Sequence, residues 1–149
     1  MSELNLREAQ QSDLGDILEL YTSLHNNSIP KTDETLLSIW KSIIKDPNHH
    51  IILGIIGEKI VSSCVIVVIP NLTHEQRPYA LIENVITHED FRNKGYATSV
   101  LNAASDIARK ANCYKIMLLT GSKQEETLQF YRKAGYNRND KTAFIQWLD

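Results

Sequence analysis

The sequence predicts one α/β domain built on a mixed β-sheet, and three observations predict it. β-branched runs of strand length (HIILGII, KIVSSCVIVVIP, YALIENVIT) are set among amphipathic segments of helix length. One strand–helix–strand crossover, residues 79–120, places parallel neighbours in the sheet. No linker, repeat or low-complexity tract interrupts the 149 residues, so residues 1–149 read as a single domain.

The elements follow in order. ELNLREA is a short alternating strand with Leu4 and Leu6 on one face. Ser12 caps a first helix, in which Leu14, Ile17, Leu18, Tyr21 and Leu24 recur at helical spacing, and HNNSIP breaks it. Thr32 caps a second helix with Asp33 and Glu34 near its positive end. Its apolar face is Leu36, Leu37, Trp40, Ile43 and Ile44, and Asp46-Pro47 ends it. Two β-branched runs meet around Gly57-Glu58 as a hairpin, and YALIENVIT is the next strand.

Gly95 to Ala111 then reads as a helix, with Val100, Leu101, Ala104, Ile107, Ala108 and Ala111 on one face. YKIMLLT is a strand. Ser122 and Glu125 have capping-box spacing and open a helix carrying Leu128, Phe130, Tyr131 and Ala134. Gly135 stands where a helix end takes a left-handed residue. TAFIQWL closes the chain as a last strand, giving the order β-α-α-β-β-β-α-β-α-β.

Composition excludes several classes. Sixteen basic and 18 acidic side chains give a net charge of −2 with no large block of one sign. Nucleic acid and anionic membrane both reward a strongly basic face, so neither is expected as the main partner. The amino terminus, MSELNLREAQ, has no secretory apolar core. No apolar run approaches the ~20 residues of a membrane span. The expected location is cytoplasmic. Cys64 and Cys113 sit in apolar surroundings without CxxC spacing and read as reduced, buried thiols. His25, His49, His50, His74 and His88 have no metal-ligand spacing, so no metal is expected, and His49-His50 reads as a solvated turn.

The stretch FRNKGYATSVL joins the 79–87 strand to the long helix. A helix amino terminus presents unpaired N–H groups and a positive dipole end, which suit anions. Gly95 lets the backbone come close to a ligand, Ala97 keeps the first turn small, and Arg92 and Lys94 bring positive charge. On spacing alone, a phosphate cradle and a glycine-mediated helix start with solvated cations stand equal. Neither the P-loop spacing nor the G-x-G-x-x-G dinucleotide fingerprint is present.

What matches is R-x-x-G-x-A at Arg92, Gly95 and Ala97, after IENVIT and before a long helix. This resembles motif A of the GCN5-related N-acetyltransferases. LLTGSKQEETLQFYRKAGY, residues 118–136, resembles the family's motif B with its F-Y-x-x-x-G-[FY] ending. The element order is similar to that fold across nearly the whole chain. The resemblance implies that backbone from Arg92 through Asn93, Lys94, Gly95 and Tyr96 to Ala97 holds the pyrophosphate of coenzyme A. It also implies that Val85, Ile86 and Thr87 meet the pantetheine arm, in a gap between splayed strands. At the position where the family often carries an asparagine toward the pantetheine, this chain has Gln124.

The reaction so implied is direct transfer of acetyl from acetyl-CoA to an amine. A primary amine with a solution pKa near about 10 must lose a proton before attack. A backbone N–H suits the tetrahedral oxyanion, and the departing thiolate takes a proton. Tyr131 matches the donor by its place in F-Y-x-x-x-G; without the motif it reads as a helix tyrosine packing its ring.

Glu83, in an otherwise apolar strand two residues before Val85, reads either as the base or as a salt-bridged or edge-exposed carboxylate. It could also attract a cationic acceptor. Tyr21, His25, Asn26 and Asn27 lie on or beside the loop that lines the acceptor side in the family's fold. The expected acceptor is a small-molecule amine or amino sugar. The alternatives are a protein lysine or N-terminus as acceptor, or a non-catalytic acyl-CoA-binding regulatory module. An exposed strand edge is compatible with a homodimer.

Overall fold

The computed structural model describes residues 3–24 and 28–149. They fall into two compact units, Met1–Met117 and Leu118–Asp149. The first holds β1 (Leu4–Glu8), α1 (Leu14–Tyr21), α2 (Glu34–Lys45), β2 (His49–Ile56), β3 (Lys59–Ile69), β4 (Tyr79–Thr87) and α3 (Tyr96–Lys110). β5 (Ile116–Leu118) ends at the boundary, and the second unit carries α4 (Glu125–Lys133). The sheet order is β1-β2-β3-β4-β5, a mixed sheet whose first four strands form an antiparallel meander. The α3 crossover brings the start of β5 beside β4, where Ala80 N–H donates to the Lys115 carbonyl and Tyr114 N–H to that of Pro78.

The β-branched runs become β2 and β3 because both faces of these strands are buried, and a branched side chain packs well on a pleated surface. One face meets α1 and α2 through Ile17, Leu20, Trp40, Leu53, Val65 and Ile86. The other meets α3: Cys64 Sγ lies 3.5 Å from the Val100 carbonyl, and a side chain at Gly54 would stand 3.2 Å from Leu4 and 3.4 Å from Ser62 and Val100. Gly57, at φ +62°, turns the two-residue hairpin between β2 and β3.

Several expectations give way. α1 starts at Leu14, after a 3-10 turn at Gln11–Asp13, so Ser12 is not its cap. Asp13 is instead engaged by Arg7 and by the Gln10 N–H. Asp33 rather than Thr32 caps α2, accepting from the Leu36 N–H at 2.9 Å. Leu37 is exposed on α2. Ser122 does not cap α4; its hydroxyl accepts from the Gln124 N–H in the preceding turn, and Gln124 is the N-cap. His49 and His50 are not a solvated turn but the half-buried first residues of β2. β1 supplies Glu8, whose Oε1 lies 2.5 Å from His50 Nδ1.

The last predicted strand is not formed. Residues 142–148 have no regular secondary structure, and Phe144, Ile145, Trp147 and Leu148 are exposed. Alternation of apolar residues marks a segment able to be a strand, but a strand exists only where a neighbour accepts its backbone hydrogen bonds. Gly135 does take the left-handed conformation, φ +103°, and Tyr136 N–H closes α4 on the Tyr131 carbonyl.

Candidate active site

β4 is interrupted by a bulge. Val65 of β3 faces Glu83 and Ser63 faces Ile86, so Asn84 and Val85 together oppose Cys64. Asn84 is left-handed at φ +53°, a conformation that asparagine tolerates better than most residues. The extra residue switches the faces of the strand. Ile82, paired with Ile66, is on the α3 side, whereas Ile86, four residues on, joins the core beneath α1.

The bulge corrects one expectation about Glu83. Simple alternation would put its side chain and that of Val85 on one face, and the left-handed residue between them removes that alternation. Glu83 is exposed, as one of the two sequence readings had it, so it carries no large desolvation cost. Val85 and Thr87 are half-buried, and the Ile86 side chain points into the core.

At the end of β4, His88 Nδ1 accepts from the Asp90 N–H, opening a 3-10 turn at Glu89–Phe91. The chain then enters α3 through two left-handed residues, Asn93 at φ +62° and Gly95 at φ +81°. At Gly95 a side chain would meet no neighbour within 4 Å; the conformation, not space, is what calls for glycine. Arg92, Asn93, Lys94 and Gly95 are exposed, and Tyr96 and Ala97 form the first turn of a 15-residue helix. That turn presents the unpaired N–H groups of a helix start.

Cations surround the turn. Arg92 Nε donates to the Thr87 carbonyl at 3.2 Å, and Lys94 Nζ lies 5.3 Å from the centre of the Phe91 ring. On the same ring, 5.4 Å away, is Lys59 Nζ, from the first residue of β3. Sequence reasoning missed Lys59, which is far from the motif along the chain; only the antiparallel β3–β4 pairing brings it near. The turn thus offers helix N–H groups, an open backbone and three cations, which fits the pyrophosphate of coenzyme A.

In the second unit, Gln124 and Tyr131 lie at the cap and within α4. The Tyr131 ring is held edge-on by Phe130 at 5.0 Å and by Tyr136 at 6.4 Å. Tyr21, at the end of α1, packs against the core with its hydroxyl buried. His25, Asn26 and Asn27 lie outside the described residues.

Other features take no part in this arrangement. Burial pushes the Cys64 thiol up to about 12, so it is inert at neutral pH. Cys113 is half-buried, and burial raises its thiol as well. Among the described residues, no cluster of His, Cys, Asp and Glu is placed to hold a metal, and no helix is long and apolar enough to cross a membrane. A cavity of about 190 Å³ lined by Glu8, Ile43, Ile44, His49 and His50 lies at the start of β2, the opposite end of the sheet from the turn.

A sequence model of the acetyltransferase (GNAT) family matches residues 14–136. The chain is 27% identical over 144 residues to a glucosamine 6-phosphate N-acetyltransferase from Trypanosoma brucei brucei, covering 93% of this chain and 92% of that one. A solved structure from Agrobacterium tumefaciens str. C58 is 35% identical with a TM-score of 0.88, over 96% of this chain and 99% of the other. A glucosamine-6-phosphate N-acetyltransferase from Arabidopsis thaliana shares the fold, with a TM-score of 0.86 at 22% identity over 99% of each chain.

Proposed function

Because the chain belongs to the acetyltransferase (GNAT) family, we propose that it moves an acetyl group from acetyl-CoA to the primary amine of a small molecule, by direct attack in a ternary complex. The family makes it an acetyl-CoA-dependent acyltransferase. An amino sugar is the acceptor class we favour, supported by the full-length similarity to an enzyme named for glucosamine 6-phosphate. We read residues 1–149 as one catalytic domain acting in the cytoplasm; a homodimer is compatible with this reading.

The observation that carries the reading is the left-handed entry into α3 at Gly95, with Arg92, Lys94 and Lys59 around it, directly after a bulged strand. In this reading, backbone from Arg92 to Ala97 binds the pyrophosphate, and the cations offset its charge. Val85, Ile86 and Thr87 supply backbone to the pantetheine arm, and the bulge frees Val85 from simple pairing with β3. Acetyl-CoA supplies an activated thioester.

Glu83, exposed beside the bulge, takes the amine's proton directly or through water and draws a cationic acceptor toward the strand. Tyr131 delivers a proton to the leaving sulfur, a role that rests on its motif position. Gln124 stands where a polar pantetheine contact is expected. Tyr21, His25 and Asn26 are the residues that the family resemblance alone assigns to the acceptor side.

A thiol-release assay with acetyl-CoA and a panel of glucosamine 6-phosphate, other amino sugars, aminoglycosides, polyamines and lysine peptides tests the function. Turnover concentrated on amino sugars supports it. Turnover on peptides alone moves the acceptor to protein. Tight acetyl-CoA binding without turnover on any amine identifies a binding module and contradicts the reading.

A further inference from the structure

Glu83 and Asn84 are consecutive and both exposed, although β4 lies inside the sheet between β3 and β5. Ala80, Ile82 and Ile86 of the same strand are buried. The difference follows from where β5 stops. It enters beside Ala80, whose N–H donates to the Lys115 carbonyl, and its three residues reach only the level of Glu83. The sheet therefore opens at the bulge, and the side chains at the opening are a carboxylate and a carboxamide.

Asn84 sits at φ +53°. Glycine takes this conformation without the clash of a side chain, so the turn alone does not call for asparagine. Bulges beside active sites re-aim a side chain, and here the left-handed residue breaks the alternation that sends neighbouring side chains to opposite faces of a regular strand. Glu83 and Asn84 are thereby free to meet one ligand together. The carboxylate suits an ammonium. The carboxamide both donates and accepts, which matches a hydroxyl, itself a donor and an acceptor. Side by side, the two groups match an amine with a hydroxyl on the next carbon, the arrangement found in a 2-amino sugar.

We propose that Asn84 is a specificity-determining residue for the acceptor: at the opening beside the bulge, its carboxamide hydrogen-bonds the hydroxyl next to the amine that Glu83 deprotonates. This rests on the reading of Glu83 given above, and adds to it the means by which an amino sugar is told from a plain alkylamine. The bond is made to the acceptor alone, so acetyl-CoA binding does not depend on it.

Steady-state kinetics of Asn84→Gly with glucosamine 6-phosphate and with glucosamine tests the assignment. Glycine keeps the left-handed turn and removes only the carboxamide, so the melting temperature holds or rises. The kcat/KM for these acceptors falls about tenfold, the scale of one lost hydrogen bond. The KM for acetyl-CoA stays unchanged.

Wild-type kinetics in Asn84→Gly overturn the proposal and leave asparagine as a tolerated turn residue. A loss that appears equally in the KM for acetyl-CoA also overturns it, because the backbone and not the carboxamide is then at work. A wild type that acetylates only amines without a neighbouring hydroxyl overturns it too, while acetyl transfer itself stands. No turnover on any amine contradicts the underlying reading instead. Calorimetric binding of glucosamine 6-phosphate to the CoA-loaded proteins then decides: weaker binding to Asn84→Gly than to the wild type sustains the proposal, and equal binding, or none, ends it.

Discussion

Ser62 on β3 and Thr87, the last residue of β4, stand opposite each other in the sheet and join their side-chain hydroxyls at 2.8 Å. Ser62 is fully buried, and its hydroxyl also reaches the Ile86 carbonyl at 3.2 Å. Arg92 Nε in turn donates to the Thr87 carbonyl, so the residue tied down by Ser62 is the one from which the α3 entry is suspended. Ser62→Ala removes these bonds, leaving the Ile86 carbonyl without this donor and the Thr87 hydroxyl without its partner. A loss of about 1 kcal/mol is expected, read as a melting-temperature drop of about 3 °C. The KM for acetyl-CoA rises with it; an unmoved KM separates Ser62 from the site.

Acid stability depends on Asp13. Its carboxylate takes two bonds from Arg7, at 2.7 and 3.0 Å, and one from the Gln10 N–H, at 2.6 Å. The Arg7 bonds are the largest cause holding its pKa below the ordinary carboxylate range, with burial opposing them. A depressed folded pKa means that the carboxylate's contribution is fully present above the unfolded value of about 3.9. It is lost as pH falls through the lower folded value. Arg7 stays charged throughout that window. Asp13→Asn is therefore expected to destabilise by about 2 kcal/mol at pH 7 and to flatten the fall in melting temperature below about pH 4. An acid limb as steep as that of the wild type would assign it to other carboxylates.

The β3–β4 connection contains three consecutive left-handed residues, His74, Glu75 and Gln76, at φ +51°, +61° and +60°. Asn71 Nδ2 bonds Thr73 and the Arg77 carbonyl, and His74 stacks on Tyr114 at 3.9 Å. Glu75 is exposed. Each such residue costs about 1–2 kcal/mol, which glycine avoids at a smaller entropic cost. Glu75→Gly should raise stability by up to about 1 kcal/mol in urea unfolding; a loss of 1 kcal/mol or more would contradict the strain argument.

Lys59 is the cation that only the fold reveals. If it helps to hold the pyrophosphate, Lys59→Gln weakens acetyl-CoA binding about three- to tenfold at low ionic strength, and the difference shrinks as salt is added. Equal affinity at low salt removes Lys59 from the site.

The sequence carried the order of elements from β1 to α4, because hydrophobic period and β-branched runs report directly on burial. The α3 entry was equally legible, through Gly95 and the spacing of Arg92 and Ala97. What was hidden depends on pairing. IENVIT reads as unbroken strand, and only an asparagine at position 84 hints that a left-handed residue can sit there. Lys59 joins the site through β3–β4 register, which no local pattern encodes. The closing TAFIQWL has strand periodicity, but period specifies a surface and not a neighbour, and residues 142–148 form no strand. The caps at Asp13, Asp33 and Gln124 fell within one or two residues of those expected, where several polar side chains compete for the same N–H groups.

The most direct test of the central claim is calorimetric titration of acetyl-CoA into the wild type and into Gly95→Glu. The account predicts micromolar-range binding to the wild type and its loss in Gly95→Glu, with the circular dichroism of the fold retained. A glutamate there would have to adopt φ near +81° and would set a negative charge at the pyrophosphate. Equal binding to both proteins, or none to the wild type, would contradict it.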